Sequence, residues 1–165
     1  MLHKVNIAGM TMDPASNTPI IILKTEDDDR AVPIWIGLLE ATSIASVLQN
    51  IKLDRPMTHD LFKNLLDRLQ ISVNKVEVCD LKENTFYAKI YLTSDGASFI
   101  MDSRPSDAIA IALRCEAPIY IEDKVIEKSQ QGYEEGEMLD KSKKGKEWAD
   151  YLASLSPDDF GKFKV

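Results

Sequence analysis

Cysteine is scarce: Cys79 and Cys115 are the only two in 165 residues. They lie far apart, with no His or Cys at metal-ligand spacing, so no disulfide framework or zinc site is indicated. Both read as small buried hydrophobes that stay reduced in a cytosol. No apolar run approaches the roughly 20 residues needed to cross a bilayer. Met1-Leu2-His3-Lys4 lacks the apolar region of a secretion signal, so the cytoplasm is the expected compartment and no membrane partner is expected. There is no Gly-rich phosphate loop, dinucleotide fingerprint, Gly-x-Ser-x-Gly elbow or Ser-His-Asp pattern. A basic excess is also missing. The net charge of −7 argues against a general nucleic-acid coat protein, whose affinity rests on Lys and Arg. It leaves a nuclease open, because an acidic site can hold phosphate through a divalent cation.

What is present fits one domain with a tail, and the 44 % hydrophobic content is that of an ordinary folded chain. Val5–Met12 reads as a strand. Ile20–Leu23 is an apolar, β-branched run, expected to be a strand buried on both faces. Asp27-Asp28-Asp29 suits a hairpin turn into a strand at Ala31–Ile36, and no calcium-loop spacing follows it. Leu39–Ile51 has helical apolar spacing. A second helix is expected with Thr58 as N-cap, Met57 stapled on Phe62, and a buried stripe of Leu61, Leu65, Leu66 and Leu69. Ile71–Leu81 is strand-like with a bulge near Asn74, where Val73 falls out of phase. Phe86, Ala88, Ile90 and Leu92 alternate with polar or amphipathic residues, and Asp95-Gly96 marks a hairpin into Ala97–Met101. A small-residue helix then opens at Arg104 or Pro105, and Pro118–Ile121 is a short strand.

The fold class is therefore α+β: internally duplicated β-β-β-α units with mixed or antiparallel sheets and helices, plus a C-terminal helical tail. Residues 1–127 form the domain. Residues 128–165 read as a flexible linker and a short helix near Lys146–Leu155.

Chemistry concentrates at the helix entrances. Glu40-Ala41-x-x-Ile44-Ala45 superposes on Asp107-Ala108-x-x-Ile111-Ala112. Arg55-Pro56 and Arg104-Pro105 echo each other, each with an acid a few residues on. Glu40, Asp60, Asp102 and Asp107 are carboxylates of the kind that bind Mg²⁺ or Mn²⁺, although acids in a first turn also complement the helix dipole. Proline holds the preceding arginine extended, where it can fork onto phosphate or form a structural salt bridge. His59 suits a base or metal ligand, or simple polar surface. Ser106 suits a capping hydroxyl.

Taken in order, Pro33-Ile34-Trp35-Ile36-Gly37 with Glu40-Ala41, Arg55-Pro56-Met57-Thr58-His59-Asp60-Leu61, Phe86-Tyr87-Ala88 and Arg104-Pro105-Ser106-Asp107-Ala108-Ile109-Ala110 resemble the bifunctional nuclease (BFN) domain family. The resemblance spans roughly residues 5–127. It implies nuclease activity on DNA and RNA and a compact α+β domain often paired as a homodimer. Some members append a C-terminal UvrB/UvrC-like motif, to which the tail here is loosely similar. Leu38-Leu39-Glu40 stands where the family commonly has Glu-Pro-Glu, so one nearby acid is missing.

Two functions follow as expectations. In the first, a metal-dependent nuclease holds Mg²⁺ or Mn²⁺ on Glu40, Asp60 and Asp107. Asp60, Asp107 and His59 act as the catalytic set there, with Arg55 and Arg104 on the phosphate. The second is a non-catalytic dimeric ligand- or protein-binding module whose Arg-Pro and Asp motifs are structural.

Overall fold

The computed structural model describes residues 1–139 of the chain. The strands are β1 (Leu2–Met12), β2 (Pro19–Thr25), β3 (Ala31–Trp35), β4 (Ser72–Lys82), β5 (Thr85–Ser94), β6 (Ala97–Ser103) and β7 (Ile119–Glu122). The helices are α1 (Leu38–Leu48), α2 (Thr58–Arg68), α3 (Pro105–Cys115) and α4 (Asp123–Leu139). All strands join one mixed sheet in the order β3-β2-β1-β7-β4-β5-β6. The chain is α+β, as the alternation of strand runs and helices predicts.

Each half supplies a three-stranded antiparallel meander followed by a helix. β7 joins the meanders, antiparallel to β1 and parallel to β4. Pro19–Leu23 of β2 and Val76–Cys79 of β4 are buried at consecutive positions. Neighbouring side chains of a strand point to opposite faces, so these strands are covered on both sides. α1 packs on α3 and β2, and α3 on α2, β4 and β5. α4 touches both β3 and β4, which stand four places apart in the sheet, so the sheet curls around that helix. One core cluster runs through both halves and includes Ile21, Leu23, Ile34, Ile44, Val76, Ile90, Ile109 and Ile121.

The bulge expected near Asn74 is present as a register shift between Val73 and Lys75, with a second between Val78 and Asp80. Three local expectations are corrected. In α2 only Leu66 is fully buried, while Leu61, Leu65 and Leu69 are exposed. Among the described residues the main neighbour of α2 is α3, so Phe62 and Leu66, one turn apart, meet the core and the adjacent leucine row faces out. The N-cap of α2 is Met57, not Thr58, because Asp60 satisfies the Met57 amide. Finally, the segment read as a linker from residue 128 is helical through Leu139, as the continuation of α4. The helix expected near Lys146–Leu155 lies outside the described residues.

Candidate active site at three helix entrances

α1, α2 and α3 share one plan at their N-termini. Each N-cap residue (Gly37, Met57, Arg104) is extended and gives no side-chain cap. Each helix carries an acid at its third position: Glu40, Asp60 and Asp107. There a carboxylate lies near the positive end of the helix and can reach back to open amides. Asp60 does so, with Oδ2 accepting the Met57 N–H at 2.9 Å. The Glu40 carboxylate folds over Gly37, where a Cβ would overlap Oε2. The buried faces of α1 (Ala41, Ser43, Ile44, Ala45, Ser46) and α3 (among them Ser106, Ala108, Ala110 and Ala112) are rich in alanine and serine, and the two helices pack together. Small side chains permit a close approach, which brings Glu40 and Asp107 to one arginine.

That arginine is Arg104. Its Nη1 meets Glu40 Oε1 at 2.9 Å, and its Nε donates to Asp107 Oδ2 at 2.7 Å. Nη2 donates to Asp107 Oδ1 at 3.1 Å, completing a two-pronged grip. The Arg104 side chain is nevertheless 65 % exposed. Behind Asp107 stands His59, with Nε2 at 2.9 Å from Oδ1 and Nδ1 at 2.8 Å from the Ser43 hydroxyl. Burial pushes the Asp107 pKa up, but hydrogen bonds from Arg104 and His59, with their charges, hold it below the usual carboxylate range. An ionised Asp107 only accepts, so the hydrogen bond assigns a proton to His59 Nε2. In the neutral ring Nδ1 then accepts from Ser43. Both ring nitrogens are engaged.

The third acid faces elsewhere. Asp60 Oδ1 accepts from Arg114 Nε at 2.6 Å, and the Arg114 side chain is only 6 % exposed. Arg114 also donates to Ala110 O at 3.0 Å and Ser43 O at 3.2 Å, tying α3 to α1 and α2. Burial alone would raise the Asp60 pKa. The Arg114 and Met57 hydrogen bonds and the nearby charges of Arg114 and His59 outweigh it, and the pKa is lowered.

The structure thus joins Glu40, Arg104, Asp107 and His59 in one network and sets Asp60 on Arg114. Arg55 lies on the exposed loop before α2, and Asp102 is an exposed β6 residue opposite Lys89. Glu40, Asp60 and Asp107 do not form a trio with ligand atoms within 4.8 Å of one another; among the described residues His3, Asp27 and Asp28 do. That trio is already filled by ion pairs. His3 Nδ1 meets Asp27 at 2.7 Å and Nε2 meets Asp123 at 3.0 Å. Arg30 bridges Asp28 and Asp123, with Nη2 at 3.1 Å from His3 Nε2, so a guanidinium already neutralises the Asp28 side of the trio.

Ser43 and Arg114 were not among the sequence-derived candidates. Both left a trace: Ser43 interrupts the apolar face of α1, and Arg114 sits two turns after Asp107, on the same side of α3.

The family model for the bifunctional nuclease domain matches residues 21–134. An uncharacterized protein of Mycobacterium tuberculosis (strain H37Rv) is 35 % identical over 164 residues, covering 96 % of this chain and 98 % of that one. Bifunctional nuclease 1 of Oryza sativa subsp. japonica is 30 % identical over 109 residues, which are 64 % of this chain and 33 % of the rice protein. Bifunctional nuclease 2 of Arabidopsis thaliana is 33 % identical over 107 residues, 61 % of this chain and 32 % of the plant protein. The match therefore spans about a third of the plant proteins.

Proposed function

Because this chain belongs to the bifunctional nuclease domain family, we propose that it is a nuclease that cleaves DNA or RNA phosphodiesters at the α1–α3 entrance, assisted by Mg²⁺ or Mn²⁺. The observation that carries this reading is Arg104, a largely exposed guanidinium held between two carboxylates. A guanidinium that forks onto a carboxylate has the geometry to fork onto a phosphate instead. A scissile phosphate would draw Arg104 outward, and Arg55 on the exposed loop would add a second cation.

The move has consequences at stated atoms. Arg104 Nε now covers Asp107 Oδ2, and His59 covers Oδ1. When Arg104 turns to the phosphate, Oδ2 is uncovered while His59 keeps the carboxyl group oriented. Asp107 also becomes more basic as the arginine charge withdraws. Oδ2 is then the base that accepts a proton from the attacking water. Glu40 is a hard oxygen donor of the type divalent Mg²⁺ and Mn²⁺ prefer, and it is the residue that would hold the ion beside the substrate phosphate, leaving Asp107 as the base. When bound, such an ion supplies charge neutralisation on the phosphate and acidifies water. Asp60 acts one layer back, fixing α2 and therefore His59 through Arg114.

The test is cleavage of labelled single-stranded DNA and RNA with and without Mg²⁺ or Mn²⁺, comparing wild type with Asp107→Asn and Glu40→Gln. Metal-dependent cleavage lost in both folded variants supports the proposal. Equal cleavage by all three proteins places the activity elsewhere.

A second reading, a non-catalytic dimeric module, draws on the dense pairing of Asp60 and His59. It also draws on the open edge strand β6, where Phe99, Ile100 and Met101 are exposed. A second copy pairing along β6 would cover that edge. Absence of cleavage together with a dimer that Ile100→Lys dissociates would favour this reading.

A further inference from the structure

A groove of about 270 Å³ lies apart from the carboxylate network, between the end of β3, the β4–β5 hairpin and α4. Its walls follow from strand geometry. Pro33 and Trp35 alternate with Ile34 and so share one face of β3, while Ile34 enters the core. Leu81 and Phe86 are directly opposite in the hairpin and present one apolar wall. Lys128 Nζ donates to Asp80 Oδ1 at 2.9 Å and Leu81 O at 3.1 Å, so α4 is tied to the hairpin across one side of the groove. Asn84 stands at the turn with a positive φ of 59° and lines the groove from there. Trp35 keeps 40 % of its surface exposed, and its Nε1 donates to Asp13 Oδ2 at 3.2 Å, which sets the orientation of the ring.

A groove lined by a part-exposed indole, a phenyl ring and an amide residue has the composition of a platform for a flat aromatic ligand. The size agrees. Pockets for whole drug-sized ligands run from roughly 300 Å³ upward, so this groove has room for one planar base and little more. The connections also agree. β3 leads through Ile36 and Gly37 into the first turn of α1, which carries Glu40. On the other side Ala88 of β5 pairs with Ser103, the residue before Arg104. The groove is thus continuous in the chain with both ends of the carboxylate–arginine network.

We propose that this groove is a nucleobase subsite, in which one unpaired base of a single-stranded nucleic acid stacks on Trp35 and Phe86 while the backbone phosphates lie toward Arg104. The inference rests on the nuclease reading for its choice of ligand. Stacking is sequence-tolerant because every base has a π face, and Asn84 offers a donor and an acceptor to a base edge. A duplex, whose bases are already stacked, would not enter.

The full chain carrying Trp148→Phe leaves Trp35 as its only tryptophan. In EDTA, so that binding is separated from cleavage, Trp35 emission is followed on titration with a ten-nucleotide oligothymidylate and with an abasic oligomer of equal length. The expected result is saturable quenching by the base-bearing oligomer and affinity about tenfold weaker for the abasic one. Phe86→Ala is expected to weaken only the base-bearing ligand, again about tenfold. Asn84→Asp, at an exposed turn where the backbone suits either residue, is expected to weaken it without touching the core. Equal affinity for both oligomers overturns the subsite. Unchanged Trp35 emission at saturation, as a groove reserved for a protein segment would give, overturns it too. Base-dependent binding without any cleavage in Mg²⁺ or Mn²⁺ would sink the nuclease reading and keep the subsite. Cleavage with base-independent affinity would do the reverse.

Discussion

Removing Asp60 tests the architecture beneath the candidate site. Asp60→Ala takes away the carboxylate that meets Arg114 Nε and the acceptor of the Met57 amide. Among the described residues the guanidinium, 6 % exposed, then keeps the carbonyls of Ala110 and Ser43. Breaking a buried pair by deleting one partner costs about 3–5 kcal/mol. Asp60 itself is 33 % exposed, so water can reach the widowed Nε and the lower end applies. Losing the helix cap adds about 1 kcal/mol. A loss of about 4 kcal/mol corresponds to a fall of about 8–16 °C in the midpoint for a chain this size. Differential scanning calorimetry at neutral pH measures it. Asp60→Ala with Arg114→Met should recover part of the loss, because an apolar side chain leaves no stranded charge. The pH dependence has a definite sign. The Asp60 pKa is lowered in the fold, so its contribution is complete above the unfolded value and disappears as pH falls through the folded one. A midpoint for Asp60→Ala within about 2 °C of wild type, or a double variant no more stable than the single, would refute the pairing energetics.

Other outcomes follow from the same geometry. Gly37→Ala should leave the thermal midpoint near wild type, since its backbone (φ −70°, ψ 157°) suits any residue. It should nevertheless cut cleavage by about 10²-fold by displacing the Glu40 carboxylate. Asp107→Asn should lower cleavage by about 10²–10⁴-fold. Its pair with exposed Arg104 should account for less than about 1 kcal/mol of stability in urea unfolding. Ser43→Ala leaves the His59 Nδ1 without its buried hydroxyl and should cost about 1–3 kcal/mol in the same assay; no change would contradict the assigned hydrogen bond. The Asp27 hydrogen bond, opposed by burial and aided by Asp123, raises the His3 pKa. Stability from that cluster should be complete below about pH 6.5 and vanish as pH rises through the folded value. His3→Gln should flatten that slope in midpoints recorded across it.

Local patterns were legible where the physics is local. The alternation of Phe86 to Leu92, the Asp95-Gly96 turn and the out-of-phase Val73 all found their places in the structure. The matched positions of Glu40 and Asp107 were also visible, because a helix entrance leaves a signature within four residues. What needed the fold was partner choice. Arg114 belongs to Asp60, 54 positions away, and Ser43 to His59, 16 positions away; composition records neither. The leucines of α2 misled because periodicity shows that a helix has an apolar side, not how wide a neighbour will cover it. His3 offered no sequence signal either: Asp27 and Asp123 approach it from a turn and a helix start far along the chain.

β7 has a consequence for how the molecule is made. Among the described residues, four, Ile119–Glu122, form the strand that joins the two meanders into one sheet, pairing with Leu2–Val5 on one side and Val76–Val78 on the other. A chain emerging from the ribosome therefore carries two unsealed edges, on β1 and β4, until nearly the whole domain has been synthesised. Closure must be a late, long-range event, and such events are slow because loop entropy is lost before the contact forms. Substitutions at Ile119 or Ile121 should accordingly lower the yield of folded protein during translation more than the stability of molecules that have already closed.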